Sequence, residues 1–327
     1  MLGVILAAGK GTRMKSEKPK VLFEVCGRSM IKHIYEIFDK SSVENKAVIV
    51  GYKKDMIKNE LSNKACHFFE QKKQLGTGHA LKQVDFSKFE NDEYVLILPG
   101  DVPLLDPSNM SSFLDYARTK SLDAGILTTI VENPTGYGRI IRTGSGSIKK
   151  IVEQKDATEE EKEIKEINTG VYILKRKYAE KYLDELDNNN KQNEYYLTDI
   201  FKLMIEDDLY VDGFKYNNSQ ECIGVNSRYH LSKANKYYKN RYLKELMEKG
   251  VTINNPDSVI LEGELICDSD VEIKAPVYIK DYVEIKSNST VGPYVYLENC
   301  KIDKNSSVKF KYINKDIRKN ILVQEGE

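Results

Sequence analysis

Leu2-Gly-Val-Ile-Leu-Ala-Ala-Gly-Lys-Gly-Thr-Arg-Met14 decides the reading of this chain. Val4, Ile5 and Leu6 form a short apolar run almost at the first residue. A run that short, bounded by glycine, reads as a buried parallel strand. Ala7, Ala8, Gly9 and Gly11 then remove side-chain bulk where the strand ends. Such a loop lets backbone N–H groups approach a phosphate, and glycine permits the left-handed angles this needs. Lys10, Arg13, Lys18 and Lys20 bring positive charge to the same place. Strand, bare loop and cations together describe a polyphosphate site; the alternative is a tight strand-to-helix turn with surface lysines. Neither common phosphate loop is present: the third glycine of the dinucleotide pattern is missing, and no Gly-Lys-Ser/Thr follows.

Outward from this loop, apolar runs alternate with helical patterns. Ala47–Val50, Cys66–Phe69, Tyr94–Leu98 and Ala124–Val131 read as strands. Ile31, Ile34, Ile37 and Phe38 make one helical stripe, and Val21–Val25 reads as a short extended piece. Alternation with short connections predicts an α/β fold, a parallel sheet with helices on both faces. Ligands of such sheets bind at the carboxyl ends of the strands, where the first loop lies. Asp101 follows the strongest strand behind Gly100, which makes it a candidate magnesium ligand, because magnesium takes one or two carboxylates plus phosphates. Gln71 offers an amide suited to a pyrimidine edge, and Gly76-Thr-Gly78 brings bare backbone close to it. A plain strand-to-helix loop is the competing reading there. Gly138, Glu153 and Asn168, taken singly, read as structural.

Fifty basic and fifty acidic residues cancel, so no global field points to nucleic acid or an anionic membrane. No apolar segment reaches membrane-spanning length, and no signal-peptide core opens the chain. Five dispersed cysteines fit a reduced cytoplasm better than disulfides or a zinc site, and only four histidines speak against histidine-based metal chemistry.

Leu6-Ala-Ala-Gly-Lys-Gly-Thr-Arg-Met14 followed by Lys18-Pro-Lys20 resembles the signature of sugar-nucleotidyltransferases. Most similar is the bacterial bifunctional family that makes UDP-N-acetylglucosamine, in its uridyltransferase domain. Gln71-…-Leu-Gly-Thr-Gly-His79, Gly100-Asp-Val-Pro-Leu104, Gly136-Tyr-Gly-Arg139, Val152-Glu153, Asn168-Thr-Gly170 and Glu194-Tyr-Tyr-Leu-Thr-Asp199 match its further motifs in order. The resemblance implies a Rossmann-like domain that joins UTP and N-acetylglucosamine 1-phosphate into UDP-N-acetylglucosamine and pyrophosphate. It places Leu6, Ala7, Ala8, Gly9 and Gly100 around the nucleotide, and Gln71, Gly76 and Thr77 on uracil and ribose. Gly138, Glu153 and Asn168 fall to the sugar, Asp101 and Asn226 to magnesium, and Arg13 and Lys20 to catalysis. Pro99 occupies the position before the glycine, which varies in the family, so no side-chain contact is carried over from it. Related readings keep the reaction with glucose 1-phosphate or another sugar phosphate. A different class is a non-catalytic sugar-nucleotide sensor or scaffold.

Beyond residue 227 the pattern changes. Leu231, Ala234, Tyr238, Tyr242, Leu246 and Met247 predict a linker helix over 228–250, ended by Gly250. Val271, Val277, Val283 and Val295 then recur every six residues, interrupted by Ser289, beside Ile273, Ile279, Ile285, Val291 and Leu297. Such a period marks a stacked β-helix. Resemblance to hexapeptide-repeat proteins makes it a short left-handed parallel one over 251–310. The register ends after Cys300, and a polar tail is expected over 311–327. The family's trimerisation through this element makes a homotrimer an expectation, while its acetyl-transfer residues have no counterpart here, so acetyltransferase activity is expected to be absent.

Overall fold

The computed structural model describes residues 1–41, 43–310 and 312–313, the last two by backbone alone. In chain order come β1 (Leu2–Ala7), a hairpin of β2 (Glu24–Val25) and β3 (Arg28–Ser29), α1 (Met30–Lys40), β4 (Asn45–Val50), α2 (Lys54–Glu60), β5 (His67–Glu70) and α3 (Thr77–Leu81). Next are β6 (Tyr94–Pro99), α4 (Pro107–Thr119), β7 (Ala124–Ile130), β8 (Arg139–Arg142), β9 (Ile148–Val152), α5 (Glu159–Lys162), β10 (Glu166–Lys175), α6 (Arg176–Glu185), α7 (Asp199–Glu206) and β11 (Val211–Tyr216). The rest is α8 (Arg228–Glu248), β12 (Thr252–Ile253), β13 (Val259–Cys267), β14 (Glu272–Ile273), β15 (Val277–Ile285), β16 (Thr290–Val291), β17 (Val295–Ile302), β18 (Ser307–Val308) and β19 (Tyr312–Ile313). The chain divides into two compact units: residues 1–23 with 30–227, and Glu24–Ser29 with the chain from Arg228 onward.

The first unit is built on a sheet of order β11-β7-β10-β6-β1-β4-β5, with β8 paired to β10 and β9 paired to β8. β1 lies between β4 and β6, parallel to both. Its residues alternate between two cores: Ile5 and Ala7 join α1 and α4 on one face, Leu2 and Val4 join α3, α6 and α7 on the other. Buried on both faces, β1 has no polar side to show, which is why it reads as an unbroken apolar run. The sheet is mostly parallel, as expected, and β10 departs from that sense, running antiparallel to both β6 and β7. An apolar strand buried on both faces is equally apolar in either direction, so its composition cannot reveal its sense. Val21–Val25, expected to be extended, instead begins with a 3₁₀ turn over Lys20–Leu22 that buries Val21 and Leu22.

In the second unit the inward residues of α8 are Ala234, Leu243 and Leu246, whereas Met247 is exposed. Parallel coils follow: β13 pairs with β15, β15 with β17, and β14 with β16, consistent with the expected left-handed β-helix. All the six-residue repeat positions from Val271 to Leu297 named above are buried. Ser289, the interruption, is also buried, and its hydroxyl donates to the Asp303 carbonyl at 2.9 Å. At one corner Gly263 stacks on Asp281 so closely that a Cβ would lie 1.9 Å from the Asp281 carbonyl oxygen. The stack does not stop at Cys300. Lys280 faces Glu298, eighteen residues on, but Val283 faces Cys300, only seventeen on. The coil drops one residue near Asn299, whose φ is 45°. The sequence period breaks there while the packing continues through Ile302 and Val308, with β18 on β16 and β19 on β17. Apart from β19, the expected tail over 311–327 lies outside the described residues. No helix among the described residues is long and apolar enough to cross a membrane.

Candidate active site

The first loop works through close packing. Gly11 has φ 65°, and a Cβ there would stand 2.6 Å from Lys20 Cβ. Only glycine suits both the left-handed angle and the lysine stem laid across it. Arg13 sits on the 3₁₀ turn Thr12–Met14, pinned by buried Met14. Opposite, the Gly100 N–H donates to the Leu6 carbonyl at 2.9 Å, which fastens the loop after β6 to the end of β1. The Asp101 carbonyl accepts from the Val225 N–H at 2.8 Å, which brings Asn226 alongside.

Four side chains far apart in sequence therefore meet. The Lys20 ammonium donates to Asp101 Oδ2 and, at 3.1 Å, to Asn226 Oδ1. Arg13 Nη2 donates to the same Asn226 oxygen at 2.7 Å. A carboxylate and an amide oxygen thus converge on one cationic group, a donor set of hard oxygens that fits a small divalent cation. Among the described residues no three His, Cys, Asp or Glu side chains are grouped to hold a metal ion. An ion on Asp101 and Asn226 would accordingly draw its other ligands from phosphates and water.

A cavity of about 350 Å³ opens beside this cluster. Of the residues named from sequence, Leu6, Ala7, Ala8, Gly9, Lys20, Gln71, Gly76, Thr77, Gly100 and Asp101 line it. Pro99 lines it too. Thr77 also ties the cavity wall, its hydroxyl accepting from the Leu197 N–H at 3.1 Å. Gly138, Glu153 and Asn168 form a separate group. The Asn168 N–H donates to the Gly138 carbonyl at 2.9 Å, and a Cβ on Gly138 would lie 3.4 Å from Glu153 Oε1. The first cavity reaches this trio through Tyr172, whose hydroxyl accepts from Asn168 Nδ2 at 2.7 Å. Glu153 itself opens on a second cavity of about 430 Å³, with Asp156, Asp187 and Asp199. Burial holds its carboxyl above the ordinary range, against a long hydrogen bond from the Thr198 hydroxyl.

Sequence reading did not single out Tyr172, nor, within segments it had matched, Gln74, Glu194 and Tyr137. Tyr172 lies inside an apolar run and looks like core. Tyr137 sits next to matched Gly138, and its phenol is pushed up by burial and then by the Asp101 charge. That proximity is a tertiary fact with no local signal.

A family model described as nucleotidyl transferase matches residues 2–219. The chain is 39% identical over 309 residues to the bifunctional protein GlmU of Acetivibrio thermocellus, covering 94% of this chain and 67% of that one. It is 41% identical over 307 residues to the bifunctional protein GlmU of Clostridioides difficile, covering 94% and 66%. The chain thus spans about two thirds of the length of these relatives. Among solved structures, a putative glucose-1-phosphate thymidylyltransferase from Bacillus anthracis matches with TM-score 0.59 at 20% identity, covering 72% of this chain and 95% of that one. A UDP-glucose pyrophosphorylase matches with TM-score 0.57 at 21% identity, covering 73% and 98%. Likeness at that identity speaks for the fold. The family match over two thirds of the chain and the relatives near 40% identity speak for more: the chain belongs to the nucleotidyl transferase family, alongside the bifunctional GlmU proteins.

Proposed function

We propose that the chain is a magnesium-dependent uridyltransferase that forms UDP-N-acetylglucosamine and pyrophosphate from UTP and N-acetylglucosamine 1-phosphate. The observation that carries this reading is the meeting of Arg13, Lys20, Asp101 and Asn226 beside the cavity that Gln71 lines. Domain limits follow the sequence reading: nucleotidyltransferase 1–227, linker helix 228–250 and β-helix 251–310. The sugar phosphate oxygen attacks the α-phosphorus of UTP, and pyrophosphate leaves from the opposite side. No covalent bond to the protein is required; the task is alignment and charge. Asp101 and Asn226 would hold magnesium, which supplies positive charge between the phosphates when bound. Lys20, which shares their oxygens in the free chain, is then available to a phosphate oxygen. Arg13 adds a second cation from the loop.

Gln71, Gly76 and Thr77 supply base and ribose contacts, Leu6 to Gly9 backbone to the nucleotide, and Gly138, Glu153 and Asn168 the sugar contacts. We assign the chain to the cytoplasm, which suits its free cysteines. A homotrimer is part of the proposal, supported by exposed Ile260, Tyr294 and Phe310 on the second unit. The test is pyrophosphate release from UTP with a panel of sugar 1-phosphates. Turnover with N-acetylglucosamine 1-phosphate above glucose 1-phosphate is expected; no release with any of them would leave a sensor or scaffold.

A further inference from the structure

Gln71 follows β5 and is 3% exposed. Its backbone N–H donates to the Val50 carbonyl at 2.8 Å, which continues the sheet. Its side-chain Nε2 meets two partners, the Gly76 carbonyl at 2.9 Å and His79 Nδ1 at 3.0 Å. An amide nitrogen has two hydrogens, so both are used inside the protein. Oε1 is the polar atom of this side chain left for a ligand in the cavity that Gln71 lines. The arrangement requires Nδ1 to accept, and His79 is therefore neutral with its proton on Nε2. Gln83 donates from its amide to the His79 carbonyl at 2.9 Å; its 3.5 Å approach to Nε2 is too long to set the tautomer. Burial lowers the His79 pKa, and the Lys82 charge lowers it further. The Tyr195 ring lies across the imidazole at 6.2 Å between centroids.

We propose that His79 is a positioning residue that holds the Gln71 amide with its oxygen toward the nucleotide base, and so sets which pyrimidine the cavity accepts. This rests on the reading of the chain as a pyrimidine-nucleotide transferase. A carbonyl oxygen accepts from the N3–H of uracil. Cytosine carries a lone pair at that atom, which would face the oxygen unfavourably. A turned amide would present its NH₂ group instead and reverse the match. While the His79 proton stays on Nε2, turning costs the amide two hydrogen bonds; with alanine at 79 it costs one. Protonation of the ring has a stronger effect, because Nδ1–H then seeks Oε1 rather than Nε2.

The experiment compares kcat/KM for UTP and CTP by pyrophosphate release, with N-acetylglucosamine 1-phosphate, for the wild type, His79→Ala and His79→Asn from mildly acid to neutral pH. The asparagine oxygen reaches the place of Nδ1 and does not titrate. The wild-type UTP/CTP ratio is expected to fall as the pH drops through the lowered histidine pKa. His79→Ala should lose roughly tenfold of that ratio at neutral pH, mainly through KM for UTP. His79→Asn should restore the ratio and hold it level across the pH range. If folded His79→Ala keeps the wild-type ratio, or if asparagine loses as much as alanine, the positioning role is overturned. A wild type with no preference for UTP overturns the pyrimidine reading itself, a failure distinguishable because it appears before any variant.

Discussion

Asp101→Asn separates the proposed metal-binding role of this carboxylate from its structural one. The side chain stands in the turn after β6, 17% exposed, paired with Lys20 at 18%. Asparagine keeps shape and oxygen but removes the charge. The structural loss is that of a partly exposed ion pair, about 0.2–1 kcal/mol. Lys20 keeps the Asn226 oxygen at 3.1 Å, and the Val225 N–H still finds the residue-101 carbonyl. The melting temperature should therefore fall by no more than ~4 °C. Removal of one preorganised charge from the reacting phosphates costs far more, ~10²–10³-fold in kcat, or about 3–4 kcal/mol. The assay is coupled pyrophosphate release over a magnesium titration, with melting followed in parallel. The half-saturating magnesium concentration should rise as kcat falls, and Asp101→Ala should show the same pattern more strongly. A folded Asp101→Asn protein turning over within about tenfold of wild type at the same magnesium would refute the reasoning.

On the proposed mechanism, in which their charge acts on the transferring and leaving phosphates, Arg13→Ala and Lys20→Ala should each lower kcat more than they raise KM. A change confined to KM for UTP would show ground-state binding instead. Asp199 faces the second cavity, and burial, with Asp187 and Asp156 adding, pushes its carboxyl up to about 6. Between its ordinary value of 3.8 and about 6 the folded chain binds more protons than the unfolded one. Stability should consequently fall as the pH rises through that window. Asp199→Asn should flatten this slope in thermal melts and raise stability above it; an unchanged slope would count against the assignment. Incubated with acetyl-coenzyme A and glucosamine 1-phosphate, these 327 residues should release no thiol beyond the uncatalysed rate.

The sequence alone determined the architecture and most of the first cavity. Buried parallel strands are continuous apolar runs, so β1, β4 and β6 and the loops at their carboxyl ends could be located by composition. The six-residue period survives in the coils because the inward positions are mostly apolar, with buried Ser289 as the interruption. Its break after Cys300 was legible, but its meaning was not: one residue is lost at a corner, and only stacking shows that the coil goes on. The sense of β10 was likewise hidden, since hydrophobicity has no direction.

The motifs named Arg13, Lys20, Asp101 and Asn226 separately. The tertiary structure decided that the lysine rests on the oxygens assigned to the metal, through hydrogen bonds joining the ends of β1 and β6 and the segment before α8. It also moved Glu153 to the wall of a second cavity and left Tyr172 to link the two. Spacing along a chain reports which residues share an element. Which side chains share a proton acceptor depends on contacts between elements that no local pattern encodes.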